Sequence, residues 1–322
     1  MGSRSWLAAV SAVALTLTPG ALSAEDYPSR PVRVVVGFGP GAVADVILRV
    51  LANRMSQSLG QQLVVENRPG AGSSLGAEYV ARAPKDGYTL LMCTVAQTIN
   101  PAMNNLNFDF GRDFAPIALI ANAPQMLVAH PFLPANNVQE LIALAKSQPD
   151  GVQYASSGVG TMSHLSGVLL NSAAGIKLVQ IPYPGSAQSM TDVLAGRVPL
   201  MFGPAATVWT SVKAGKLKAL AVTQEKRAAI APDVPTMVEA GVPGYSAGIW
   251  MGLLAPSGTP PAIVDKLSRA ANEGLKSKEV LTLLEAQGVD PLGGTPAEFK
   301  KFIDGELTKW AEVVRAAGIK TR

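Results

Sequence analysis

Short apolar, β-branched runs broken by glycine and proline alternate with stretches whose apolar residues recur every three or four positions, and this alternation extends through most of the chain. The run Val32 to Val36 suits a strand buried on both faces, and Gly37, Gly39, Pro40 and Gly41 end it at once. Ala44, Leu48, Leu51, Met55 and Leu59 then recur at helical spacing. Gln62 to Glu66 predicts a second strand, Asn67 to Gly72 a loop, about Ser73 to Ala83 a helix, and Tyr88 to Cys93 a third strand. This βαβαβ succession implies right-handed crossovers, a parallel sheet and a crevice at the carboxyl ends of its strands.

Asn100 to Pro116 reads as an irregular, aromatic-bearing connection, with further strands at Ile117 to Ile120 and Gln125 to Ala129. The pattern restarts at Val138. A helix to Lys146 precedes a strand at Val152 to Ala155, a turn from Ser156 to Gly160 and a helix from Met162 to Ala174. Strands follow at Lys177 to Pro182, Val198 to Phe202 and Leu217 to Val222, separated by a turn and helix within Pro184 to Gly196 and a helix from Gly203 and Pro204 toward Lys213. A second α/β domain is the economical reading, and Ala247 to Ala255 is a strand that leads the chain back. The last part is helical. Thr295, Pro296 and Glu298 form a capping box, and Phe299, Ile303, Trp310, Val313 and Val314 share one face that reads as core. These helices bring no sheet of their own, so they are expected to pack on a first domain built from both ends of the chain.

Composition adds to this picture. The 322 residues are 48% hydrophobic and 16% charged, a globular balance with material for two domains. A net charge of +4 comes from lysines and arginines scattered singly, so no nucleic-acid partner is expected. At the N-terminus, Arg4 precedes an apolar run from Trp6 to Leu17 and small residues ending in Ala21, Leu22, Ser23 and Ala24. That is the layout of a signal peptide over residues 1–24, cleaved after Ser23 or Ala24, and it directs the chain to the periplasm. Cys93, the lone cysteine, lies in an apolar run and reads as a small buried hydrophobe.

Three chemistries compete at the glycine turns. Gly37, Gly39 and Ala42 satisfy G-x-G-x-x-A, with Glu66 placed as a ribose-binding acid would be, which suggests a nicotinamide-dependent oxidoreductase. Pro40 stiffens that turn, and export removes the chain from free nucleotides. Gly72, Ser74 and Gly76 match G-x-S-x-G, and Ser74, Asp150 and His164 fall in hydrolase order. A nucleophile elbow, however, needs its serine directly after a strand, and Asn67 to Ser73 intervene. The third reading requires no reaction: helix N-termini at Gly37 to Ala44, Gly70 to Ser74, Ser156 to Ser163 and Pro184 to Ser186 converge on one crevice and hold an anion by backbone N–H groups and hydroxyls. Two histidines and no cluster at ligand spacing lead us to expect no metal and no cofactor. Asp45 serves the first turn of its helix and orients the loop. For His164 a capping or packing role and a ligand contact stay open, as do wall and packing roles for Tyr183.

The stretches VVVGFGPGAVAD, LGQQLVVENRPGAGSSLGAEYVARAPKDGYTLL, SSGVGTMSHL, QIPYPGSA, LKALAVT and VPTMVEAGVPGY, in that order, resemble the Bug family of periplasmic solute receptors. The resemblance runs from about Tyr27 to the C-terminus. It implies a two-lobed periplasmic binding protein of type II, each lobe a mainly parallel sheet flanked by helices, with lobe 1 at 25–126 plus 246–322 and lobe 2 at 127–245. Hinges are expected near Gln125 to His130 and Tyr245 to Trp250. It also implies a monomeric, non-enzymatic receptor that delivers a small carboxylate to membrane transporter subunits. Carried over by motif, the ligand contacts are Phe38, Pro40, Gly41, Ala42 and Val43, then Gly72 and Ser73, then Ala96 and Gln97. Lobe 2 supplies Ser156, Gly158, Thr161, Ser163 and His164, with Tyr183, Gly185 and the turn at Gly203. The chain departs from the family pattern at Gly37 and Ala42, and at Pro184 and Gly203, where relatives often carry lysine and aspartate. Lacking an acid at 203 to meet an ammonium, it is expected to prefer a carboxylate without an α-amine, a dicarboxylate or an aromatic acid.

Overall fold

The computed structural model describes residues 27–316, 318 and 319; residues 1–24, expected to be a signal peptide, lie outside them. Strand β1 (Val32–Val36) sends Val32, Val34 and Val36 to one side and Val35 to the other, as the period of two requires. Helix α1 (Val43–Leu59) follows and lays Ala44, Ile47, Leu48, Leu51 and Met55 on the same core as Val34, ending at Gly60 with φ 72°. Then come β2 (Leu63–Asn67), a short 3₁₀ turn, α2 (Ser74–Ala81) and β3 (Thr89–Thr94). A helix, α3 (Ala96–Met103), occupies part of the segment expected to be irregular. It tolerates Pro101 because the lost N–H bond falls near its end, where the Asn104 N–H closes on the Asn100 carbonyl at 2.9 Å.

The chain continues through β4 (Phe114–Ala123), β5 (Gln125–Ala129), α4 (Val138–Ser147), β6 (Val152–Ser156), α5 (Met162–Ala174), β7 (Leu178–Pro182), α6 (Ser186–Leu194), β8 (Leu200–Pro204), α7 (Ala205–Lys213) and β9 (Lys218–Val222). It ends with β10 (Ile249–Pro256), α8 (Pro261–Leu275), α9 (Lys278–Ala286), β11 (Asp290–Pro291) and α10 (Pro296–Ala316). Two sheets result, one of order β11-β4-β10-β3-β1-β2 and one of order β7-β6-β8-β5-β9. Strands β1 to β4 share a direction, as do β6 to β9, but β10 and β5 are inserted antiparallel, so both sheets are mixed rather than uniformly parallel.

That inversion follows from the crossings. The chain leaves the carboxyl end of β4 through Pro124 and enters the other sheet as β5, so β5 starts where its neighbours finish, Gln125 facing Pro204 at the end of β8. The return into β10 repeats the move, Ile249 facing Ala123 at the end of β4. Gln125 to Ala129, expected near a hinge, is a fully buried strand of the second sheet, and the crossing itself is Pro124. The two crossings are stitched together: Thr223 N–H donates to the Gln125 carbonyl at 2.9 Å and Ala247 N–H to the Thr223 carbonyl at 2.7 Å.

One apolar core is continuous across both sheets. Val35, Leu91 and Cys93 from the first meet Leu127, Tyr154 and Phe202 from the second through Tyr245, Trp250 and Trp310. Helix α10 packs on α3 and β4 and also on α5, so the terminal helices touch both halves, and β11 adds a two-residue strand to β4. The Thr295 and Glu298 capping box forms as expected, with Glu298 N–H to Thr295 Oγ1 at 3.2 Å and Thr295 N–H to Glu298 Oε2 at 2.8 Å. The Cys93 thiol is fully buried, donates to the Gly252 carbonyl at 3.2 Å and has its pKa pushed up by desolvation.

Candidate ligand-binding site

In the first sheet the turn after β1 is locked by side chains. Asp45, 2% exposed, accepts from Gly41 N–H at 2.9 Å, from Arg49 Nη2 at 2.9 Å and from Asn67 Nδ2 at 2.8 Å. The same Asn67 Nδ2 reaches the Phe38 carbonyl at 3.0 Å. Burial opposes ionisation of Asp45, but the Arg49, Gly41 and Asn67 hydrogen bonds outweigh it and hold its pKa below the usual carboxylate range. Asp45 therefore orients the loop, while Pro40, Gly41 and Val43 stand exposed and Phe38 and Ala42 half-buried. Beside this turn Ser73 sits in the left-handed region at φ 77° and is 1% exposed. Its Oγ accepts from Gln97 Nε2 at 2.5 Å, and Gln97 Oε1 accepts from Thr94 N–H at 2.8 Å. The close approach needs Gly37, where a Cβ would overlap Ser73 Oγ and lie 2.9 Å from its Cα. Asn100 Nδ2 fixes the Gly72 carbonyl at 2.7 Å, and Ala96 opens α3 alongside.

In the second sheet the turn after β6 is a hydroxyl network. Ser163 Oγ accepts from Ser157 N–H at 2.9 Å and lies 3.1 Å from Thr161 Oγ1, which donates to the Gly158 carbonyl at 2.7 Å. Ser156 Oγ accepts from Gln180 Nε2 at 2.6 Å. His164 makes a capping contact: its Nδ1 accepts from Gly160 N–H at 3.0 Å, and desolvation lowers its pKa, so the ring is neutral at pH 7 with the proton on Nε2. Tyr183 stands half-buried next to this turn, its N–H on the Ser156 carbonyl at 3.0 Å. Its hydroxyl donates to Asp192 Oδ2 at 2.8 Å, and burial with that carboxylate raises its pKa. Gly185 is the N-cap of α6.

A cavity of about 200 Å³ opens at the floor of the crevice. Of the expected contacts it gathers Thr161 and Ser163; Phe38, Pro40 to Val43, Gly72, Ser73, Ala96 and Gln97 around the first sheet, and Ser156, Gly158, His164, Tyr183, Gly185 and Gly203 around the second, do not line it. It also gathers Gln125, Ser157, Ser186 and Ser189. Of these, Ser157 and Ser186 lay within the turns singled out by sequence, whereas Gln125 and Ser189 were missed. Gln125 carried one faint signal, a polar side chain opening an otherwise apolar strand directly after a proline. At Gly203 a Cβ would point into packed side chains, 2.6 Å from Val208 Cγ1 and 3.1 Å from Met201 Cε. An acid at that position would enter the core and not the crevice, so the absence of an amine partner rests instead on the cavity, none of whose lining residues is charged.

The rival constellations do not assemble. Ser74 Oγ accepts from Asn100 Nδ2 at 3.0 Å, His164 Nδ1 is taken by Gly160, Asp150 is exposed, and no hydrogen bond joins the three among the described residues. Glu66 is engaged by Arg33 at 3.1 Å and Arg68 at 2.5 Å. Among the described residues no group of three His, Cys, Asp or Glu side chains is placed to hold a metal ion, and no helix is long and apolar enough to cross a membrane.

Two glycine-turn lobes facing each other across two crossing strands are the frame of a solute receptor, and residues 47–319 match the tripartite tricarboxylate transporter family receptor, TctC. The chain belongs to this family. It is 36% identical to protein BugT of Bordetella pertussis over 304 residues, 94% of this chain and 93% of that one. Among solved structures, Rpa4515 of R. palustris with adipate is 34% identical, with a TM-score of 0.72 over 92% of this chain and 100% of that one. A TctC solute binding protein from Polaromonas, solved with no ligand, is 29% identical, yet its TM-score is 0.84 over 90% of this chain and 99% of that one.

Proposed function

We propose that the chain is a periplasmic receptor that closes its two lobes on a small carboxylate and passes it to a membrane transporter, without chemical change. The observation that carries this reading is the turn at Gly37 to Val43. Asp45, Asn67 and Arg49 hold it in place ahead of any ligand, and it presents exposed backbone at the N-terminus of α1, where an anion is favoured. The site residues are those carried over by motif in both lobes, apart from Gly203, joined by the cavity residues. The lobes are 25–126 plus 246–322 and 127–245, a division supported by the two sheets except that β5, from Gln125, already belongs to the second.

Two measurements test the proposal on the purified mature chain. A thermal-shift panel of mono- and dicarboxylates, amino acids and aromatic acids is expected to single out carboxylates without an α-amine; ligand at a hundred times its Kd adds about 2.7 kcal/mol of stability. Small-angle scattering at saturation is expected to give a smaller radius of gyration, since closure around a ligand is the usual response of hinged lobes. A profile insensitive to a ligand known to be bound refutes closure, and turnover of esters or of nicotinamide nucleotides refutes the receptor reading.

A further inference from the structure

Gln125 is 2% exposed, and its Oε1 is buried with no hydrogen-bond partner. Its backbone carbonyl is occupied, accepting from both Thr223 N–H at 2.9 Å and Thr223 Oγ1 at 3.2 Å. Only the side chain is left over. It lines the 200 Å³ cavity, at the point where the chain crosses from one lobe into the other. A buried acceptor without a donor costs stability, and most folds avoid it. Here the unmatched oxygen belongs to a side chain that lines the space a ligand would enter.

The rest of the lining narrows what that ligand group can be. An ammonium would find no carboxylate there, and it would face the N-terminal ends of α5 and α6, which begin at Met162 and Ser186 and disfavour positive charge. An uncharged donor suits both: a hydroxyl gives its proton to Gln125 Oε1 and accepts from the serine hydroxyls at 157, 163 or 186. Resting on the receptor reading above, we infer that Gln125 is a specificity-determining residue that selects carboxylates bearing a hydroxyl group. The acid end occupies the locked turn of the first lobe and the hydroxyl enters the cavity of the second.

The test uses matched pairs differing by one hydroxyl, L-malate with succinate and 4-hydroxybenzoate with benzoate, titrated calorimetrically into the mature wild type and Gln125→Met. The wild type is expected to bind the hydroxylated member of a pair at least about fivefold more tightly, and Gln125→Met to bring the ratio close to one chiefly by weakening that member. Apo Gln125→Met is expected to melt at or above the wild-type temperature, because it removes the unmatched oxygen; a purely structural glutamine would give a lower one. Equal or weaker binding of the hydroxylated member in every pair that binds overturns the inference while the receptor reading stands. So does a ratio that survives Gln125→Met, or an apo variant that melts well below the wild type. No binding of any of the four acids, nor of any carboxylate in the wider panel, overturns the receptor reading and this inference with it.

Discussion

Gly37→Ala tests whether the two glycine-bearing turns of the first lobe form one rigid unit. A Cβ at 37 would overlap Ser73 Oγ and lie 2.7 Å from Ser73 Cβ and 2.9 Å from its Cα, so backbone as well as side chain must move. Overpacking of this kind costs about 1–3 kcal/mol. Displacing Ser73 also breaks its bond to Gln97, a residue 1% exposed, which adds about 1 kcal/mol. The sum, about 2–4 kcal/mol, corresponds to a melting point lower by roughly 3–6 °C for a chain of about 300 residues. Ser73→Gly is the partner substitution, because it deletes the two nearest of the three clashing atoms and φ 77° is strain-free for glycine. Alone it orphans Gln97 Nε2 and costs about 1–2 kcal/mol. In the double variant most of the Gly37→Ala penalty is expected to vanish, leaving a coupling energy of about 1–3 kcal/mol in a denaturant-unfolding cycle. Additive losses, or a Gly37→Ala protein as stable as the wild type, would show that the turns do not share this contact.

The local parts of the fold were legible in the sequence for physical reasons. A β-branched run cut by Gly37 to Gly41 and followed by a helical stripe has few alternatives, and β1, α1 and α5 lie where the pattern put them. Helix α3 was hidden because Pro101, Asn100 and Gln97 break its apolar stripe, although Gln97 bonds back to Thr94 at the end of β3. Strand direction is not a local property. Nothing in Ile249 to Pro256 says that it runs against β3 and β4; that follows from where the crossing delivers the chain.

The site divides along the same line. The locked turn could be anticipated, since Asp45 and the glycines that it serves are four residues apart. Gln125 could not, because its partnerless oxygen is a property of the cavity that α5, α6 and β8 build around it. Gly203 shows the converse error. Alternation along β8 puts it on the same side as Met201, and the packing of α7 makes that side core at residue 203. A departure from a family pattern therefore says nothing about ligand charge until the direction of the side chain is known.

Two further outcomes follow from these placements. Gly203→Asp drives an unpaired carboxylate against Val208 and Met201 and is expected to cost about 3 kcal/mol or more, with the ranking of ligands unchanged; selective loss of carboxylate binding at undiminished stability would place residue 203 in the crevice instead. His164 predicts a pH dependence whose sign is fixed by burial, which lowers its folded-state pKa below the ordinary value of 6.5. The unfolded chain therefore takes up a proton near pH 6.5 that the native protein refuses, and the contribution of His164, complete above that pH, declines as pH falls toward the lowered folded value. Within that window the wild-type stability should lose up to about 1.4 kcal/mol per pH unit relative to His164→Gln, which has no proton to bind there. Urea unfolding of both proteins between pH 7.5 and 5.5 measures the difference, and curves that stay parallel would mean that the ring titrates normally and that its bond to Gly160 does not require the neutral form.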